Sequence, residues 1–159
     1  MENIASQIIN WIKTYAENAR VKGLVIGVSG GVDSAVVSTL CARTGLPTLC
    51  LEMPIHQAES HVSRAEEHIE FLKAHYPNVN NLKVDLTPVF DQFVTQIPPT
   101  DKSTYEMALA NTRARLRMTT LYYFAGLEGY IVVGTGNKIE DFGVGFFTKY
   151  GDGGVDISP

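Results

Sequence analysis

Cysteine is scarce in this 159-residue chain: Cys41 and Cys50 are the only two, and both lie in apolar runs. Neither CxxC spacing nor a nearby set of ligands accompanies them. A disulfide or a metal pair is therefore a poor second to two free, buried thiols, which fit a reducing cytoplasm. Positive charge is not in excess either. Thirteen Lys and Arg against seventeen Asp and Glu leave a net charge of −4, so charge alone gives no sign of a nucleic-acid binder. No apolar stretch reaches the length of a membrane span, and the first residues lack the apolar block of a signal peptide. A cytoplasmic protein with no nucleic-acid and no membrane partner is expected. Internal repeats and low-complexity segments are missing too. Histidine recurs at positions 61, 68 and 75, but neighbours seven residues apart on a helix are separated by about 10 Å, too far to share a metal.

What is present is an alternation of short apolar runs with amphipathic segments. Ile4, Ile8, Trp11, Ile12, Tyr15 and Ala19 share one face of a helix over about residues 3–20. Strands are expected at Leu24–Val28, in "TLCLEMP", in "NLKVDL" and in "YIVVGTGN". Helices are expected over about 33–43, from Gln57 to about His75, from Pro88, and from Thr104, a candidate cap, to about Leu127. Buried strands alternating with helices imply an α/β fold, a doubly wound parallel sheet with helices on both faces. The length suits a single domain over residues 1–159. The chain stops within "GDGGVDISP", which reads as the middle of a functional loop, so truncation at the C-terminal end is expected. In such sheets ligands bind beyond the carboxyl ends of the strands, where the winding reverses. Those ends carry Ser29–Ser34, Glu52–Pro54, Asp85 and Gly134–Glu140.

The most informative stretch is "GVSGGVDS", Gly27 through Val28, Ser29, Gly30, Gly31, Val32 and Asp33 to Ser34. Paired glycines between a strand and a helix let backbone N–H groups converge, and the helix start adds positive potential. Phosphate suits such a cradle, yet the lysine of the common GxxxxGK[ST] loop is replaced by Asp33. An acid beside a phosphate is tolerated if a divalent cation lies between them. The plainer alternative is a tight turn with Asp33 as a helix cap.

"GVSGGVDSA" resembles the signature of the ATP pyrophosphatases, which split ATP between its α- and β-phosphates, and this superfamily includes GMP synthetases, asparagine synthetases and tRNA-modifying enzymes. "NTRARLRMTTLYYFA" and "VVGTGNKIEDFGVGFFTKYGDGGVDISP" resemble ammonia-dependent NAD synthetases more specifically, so that the likeness covers most of the chain. The resemblance implies a Rossmann-like fold of the ATP-pyrophosphatase type. It also implies adenylation of the nicotinate carboxylate of deamido-NAD, attack by ammonia, and release of NAD, AMP and pyrophosphate. By the same resemblance Asp33 and Glu140 hold Mg²⁺, Thr135 contacts ATP, and Arg115, Lys149 and Asp156 contact deamido-NAD in a homodimer. No residue is assigned as a catalytic nucleophile, since an acyl-adenylate and ammonia require none. Arg113 and Arg117 share the helix side opposite Arg115 and are expected as surface or dimer salt-bridge partners. Tyr105, Leu109, Thr112, Leu116 and Tyr123 suggest an apolar stripe for core or subunit contact. "EDFGVGFFTK" has one residue more between Glu140 and Lys149 than several bacterial members. Two rivals stand beside this reading: an ATP pyrophosphatase acting on another acceptor, and a truncated nucleotide-binding, dimerising module without turnover.

Overall fold

The computed structural model describes residues 2–159, apart from the side chains of Glu2 and Glu59. In chain order it contains α1 (Glu2–Asn18), β1 (Gly23–Gly27), α2 (Val32–Arg43), β2 (Thr48–Glu52) and α3 (Glu59–His75). β3 (Val79–Lys83), α4 (Thr87–Gln96), α5 (Tyr105–Glu128), β4 (Tyr130–Val133) and a π-helical turn (Ile139–Val144) follow. All four strands run parallel in the order β3-β2-β1-β4. The chain winds outward from β1 through β2 to β3, then crosses back to place β4 on the other side of β1. Winding therefore reverses between β1 and β4, and the crevice that this creates lies at their carboxyl ends.

Alternation along the strands sends side chains to two cores. Leu24, Ile26 and Cys50 meet Ile12 of α1, Cys41 of α2 and Ile69 of α3. Val25, Leu51 and Val132 meet Phe90 of α4 and Leu109, Met118 and Leu121 of α5. Each fully buried side chain of this size contributes about 1.5–3 kcal/mol. The doubly wound sheet expected from the sequence is the one that forms. α5 ends where Gly129 adopts φ 73 and its N–H bonds the carbonyl of Ala125, a left-handed cap that turns the chain straight into β4. Thr104 stands at the start of α5, but its side chain makes no capping bond.

One strand departs from expectation. β3 begins at Val79 rather than in "NLKVDL", and of its five residues only Val79 is buried. β3 lies at the edge of the sheet beside β2, and past Val79 its side chains are left partly or fully open to solvent. The three histidines spaced seven residues apart differ in setting: His61 and His75 are exposed, whereas His68 is partly buried and its Nε2 lies 2.8 Å from Ser38 Oγ. Burial holds the His68 pKa below its ordinary value. Both cysteines are free and buried, and desolvation raises both thiols far from the reactive range, that of Cys50 to about 12. Among the described residues no helix is long and apolar enough to cross a membrane.

Glu52, at the end of β2, is 5% exposed, and its Oε1 has no hydrogen-bond partner. Burial raises its pKa, Glu66 and Glu70 add to the rise, and Lys83 and Asn81 oppose it. The folded chain therefore holds this proton more tightly than the unfolded chain does. Stability is lost as pH rises from the unfolded carboxyl value near 4.5 through the folded one. Replacement Glu52→Gln removes that loss. Thermal melts should show the variant equal to wild type near pH 4 and higher by roughly 2–5 °C at pH 8. Equal melting at both pH values would show that Glu52 ionises without cost.

Candidate functional site

β1 and β4 each end in a glycine-containing turn, and the two turns face each other across the crevice. After β1, the Val28 N–H still bonds the Leu51 carbonyl at 2.9 Å, so the chain leaves the sheet only at Ser29. Gly30 then turns with φ 79, and a Cβ at this position would collide with the carbonyl oxygen of His61. Backbone conformation and space both require glycine at this position. Ser34 Oγ donates to the Gly31 carbonyl at 2.9 Å and accepts from the Ser29 N–H at 3.2 Å, while Ser29 Oγ lies 3.2 Å from it. The two hydroxyls thus brace the loop. Ser34 is buried and turned to its own backbone, whereas Ser29 lines the cavity described below.

Gly31, not Asp33, occupies the cap position of α2, and no side chain caps this helix. Among the described residues the N–H groups of Val32, Asp33 and Ser34 have no acceptor in the chain. These are the orphan donors of a helix start, with the positive end of its dipole behind them. Asp33 sits in the first turn with an exposed carboxylate, so the capping alternative does not hold.

The β4 turn brings the second carboxylate. Asn137 Oδ1 accepts from the N–H groups of Ile139 and Glu140 at 3.1 and 3.0 Å, which starts the π-helical turn. Its Nδ2 lies 3.5 Å from Asp33 Oδ2. One amide side chain therefore ties the Asp33 carboxylate to the backbone of the Glu140 turn, and the Glu140 side chain, like that of Asp33, is exposed. Among the described residues no group of three or more His, Cys, Asp or Glu could hold a metal by itself. The turn from Ile139 to Val144 closes with the Gly145 N–H on the Glu140 carbonyl, an i→i+5 bond. Behind it, Asp141 packs against Gly136, and burial raises its pKa, with Asp152 and Glu140 adding to the effect.

Between these turns and α5 lies a cavity of about 570 Å³, walled by Ser29, Met53, Asn111, Arg117, Thr135 and Phe147 among others. Thr135, the residue expected to contact ATP, stands in the wall of this cavity. Arg115 projects to the outer side of α5, where its Nε donates to the Lys149 carbonyl at 3.1 Å, so these two expected substrate residues are neighbours. The Lys149 ammonium lies 5.0 Å from the Tyr150 ring centroid. Asp156 is engaged within the chain: Oδ2 accepts from the Val132 N–H at 2.7 Å and Oδ1 from the Tyr122 hydroxyl at 3.0 Å. Burial and that carboxylate push the Tyr122 pKa up to about 12.

The inner side of α5 corrects one expectation. Arg113 and Arg117 do lie opposite Arg115, but they face the protein and not the surface. Arg113 stacks over Phe90 at 5.1 Å, and Arg117 is partly buried, with Nε donating to the Met53 carbonyl at 3.0 Å. The signal was available in the spacing. Leu109, Arg113, Arg117, Leu121 and Ala125 recur every four residues, so both arginines interrupt a stripe whose other members are buried. The expected stripe from Tyr105 to Tyr123 splits accordingly. Tyr105, Leu109 and Leu116 join the second core, while Tyr123 is 63% exposed.

The family model described as NAD synthase matches residues 4–159. The NH3-dependent NAD+ synthetase of Finegoldia magna is 40% identical over 98% of this chain and 61% of its own length. That of Carboxydothermus hydrogenoformans is 36% identical over 99% of the chain and 63% of its own length. The chain thus spans about three fifths of these relatives. Among solved structures, the NMN synthetase of Francisella tularensis superposes with a TM-score of 0.88 at 35% identity. It is matched over 63% of its length by 99% of this chain. The NH3-dependent NAD synthetase of Campylobacter jejuni gives 0.87 at 30% identity, with 99% of this chain and 66% of that one covered. A match of this extent, which takes in the glycine turn and the strand ends, makes the chain a member of the NAD synthase family.

Proposed function

We propose that this chain carries the ATP-handling half-site and part of the acceptor site of an ammonia-dependent NAD synthetase. The overall reaction joins ammonia to the nicotinate carboxylate of deamido-NAD, with ATP converted to AMP and pyrophosphate. The carrying observation is the uncapped start of α2, where three N–H donors meet an exposed Asp33 across the crevice from Glu140.

A carboxylate does not react with ammonia in neutral water, because it is anionic and oxide is a poor leaving group. Attack of a carboxylate oxygen on the α-phosphorus expels pyrophosphate and leaves an acyl-adenylate. Ammonia then adds to the carbonyl carbon, AMP departs with the C–O bonding electrons, and a proton is lost from nitrogen. The N–H groups of Val32–Ser34 would hold the departing pyrophosphate, and the Ser29–Ser34 pair keeps that cradle in shape. Asp33 and Glu140 offer hard carboxylate oxygens from two turns that Asn137 ties together. This set fits Mg²⁺, which commonly takes one or two protein carboxylates and completes its shell with phosphate and water. When bound, the ion would supply the positive charge that an acid beside a triphosphate demands. Thr135 would contact the nucleotide, and Arg115 with Lys149 would meet the anionic acceptor on the outer side of α5. The acceptor route runs beside exposed Phe142, Phe146 and Tyr150, which favours a second copy of the chain completing it.

The test is NAD formation from deamido-NAD, ATP, Mg²⁺ and ammonium. One structural neighbour is named an NMN synthetase, so the corresponding mononucleotide acid belongs in the same assay. Amide product from either pyridine acid supports the reading, and turnover of an unrelated acceptor alone rejects it. ATP·Mg²⁺ binding without product favours the nucleotide-binding module, since this chain spans only part of its relatives. Two variants probe single residues. Asp33→Asn should lower product formation at least about 100-fold while leaving the melting temperature near wild type. Gly30→Ala puts a side chain at φ 79 against the His61 carbonyl, and should cost roughly 1–3 kcal/mol in a denaturant titration and weaken ATP binding. Unchanged activity in the first variant would contradict the metal role of Asp33, and unchanged stability in the second would contradict the need for glycine in the turn.

A further inference from the structure

Charge around the crevice is unevenly distributed. Asp152 lines the cavity and acts on Asp141, as Glu140 does, and Asp33 meets Asn137 of the same turn; a nucleotide and an acceptor acid would bring more negative charge. Arg117 is the only Lys or Arg in the cavity wall among the described residues. Its guanidinium is fixed by one contact, Nε to the Met53 carbonyl at 3.0 Å. No carboxylate pairs with it among the described residues, and its terminal Nη groups have no acceptor there. The charge that acts on it is another cation, Arg113, one helical turn away. Partial burial and that neighbour both lower its pKa from the ordinary guanidinium value, as expected for a cation left without a counter-ion. A half-buried guanidinium lacking an anion is costly, and a neutral side chain could donate to the Met53 carbonyl as well.

Resting on the functional reading above, we infer that Arg117 is the oxyanion anchor of the cavity. In this role the Met53 carbonyl aims the guanidinium, and its terminal N–H groups take a phosphate or carboxylate oxygen of a bound substrate. α5 then has a division of labour. Arg115 serves the outer side, while Arg117 serves the inner cavity shared with Ser29 and Thr135. A planar fork held at Nε presents two parallel donors, which suits a phosphate or carboxylate edge better than a point charge does.

Calorimetric titration of wild type, Arg117→Gln and Arg117→Lys decides the matter. The ligands are ATP·Mg²⁺, adenosine, deamido-NAD and NAD, and a thermal melt of each variant verifies folding. If the anchor holds a nucleotide phosphate, Arg117→Gln loses about 10- to 100-fold in ATP affinity and keeps its adenosine affinity. If it holds the nicotinate carboxylate, Arg117→Gln loses the preference for deamido-NAD over NAD and keeps its ATP affinity. Either result supports the assignment, and Arg117→Lys should fall between wild type and Arg117→Gln. Should Arg117→Gln fail to fold, Arg117→Lys alone must show the selective loss. Equal losses for ATP and adenosine, or no loss with any ligand, overturn it and leave Arg117 a structural prop for β2. Wild type that binds ATP·Mg²⁺ while the variants bind every ligand equally well removes only this assignment. Wild type that binds none of the four ligands removes the functional reading along with it.

Discussion

Backbone N–H groups at the start of α2 have no acceptor among the described residues, and the site is organised around that deficit. A helix start normally recruits a serine, threonine or aspartate cap. In this chain Gly31 stands in the cap position, and both nearby hydroxyls are turned to bracing the loop. The donors therefore remain available to an anion arriving from solvent. The nearest acid, Asp33, is exposed in the same turn and tips the local balance against a bare phosphate. Donors that need an anion and an acid that repels one are reconciled by a cation shared between them.

The fold places this contradiction where it is useful. Because β4 returns to the far side of β1, the turn after β4 lies opposite the turn after β1. A single residue, Asn137, then links Asp33 to the N–H that begins the Glu140 turn. Among the described residues neither acid is held by a salt bridge, so both keep oxygen lone pairs that a hard ion requires. On the opposite wall, α5 supplies apolar packing at Leu109, Met118 and Leu121 and a guanidinium in their midst. The facing turns and the α5 wall thus follow from one winding reversal, while the open helix start follows from Gly31.

How much of this was legible in the residues depends on the range of the forces involved. The glycine turn, the four strands and the long α5 are set by local periodicity and turn chemistry, and the structure has them close to where they were expected. Sequence could not fix the start of β3, because an edge strand takes its register from β2, and only Val79 is anchored there. The direction of Arg113 and Arg117 was half legible. Helical spacing set them apart from Arg115, but which side faces inward is decided by the packing of Leu109 and Leu121 on the sheet. His68 illustrates the same limit, since its heptad neighbours are exposed while it alone meets Ser38 across α2 and α3. Asn137 gave no signal at all, for an amide that joins Asp33 to the backbone of the Glu140 turn is a property of two turns 104 residues apart.

The most direct measurement is a crystal structure of this chain with a non-hydrolysable ATP analogue and Mn²⁺ in place of Mg²⁺, located by its anomalous scattering. A shared cation predicts a manganese peak within coordination distance of Asp33 and Glu140, with the β- and γ-phosphates against the N–H groups of Val32–Ser34. Manganese bound elsewhere, or a triphosphate that leaves those N–H groups to water, would contradict it.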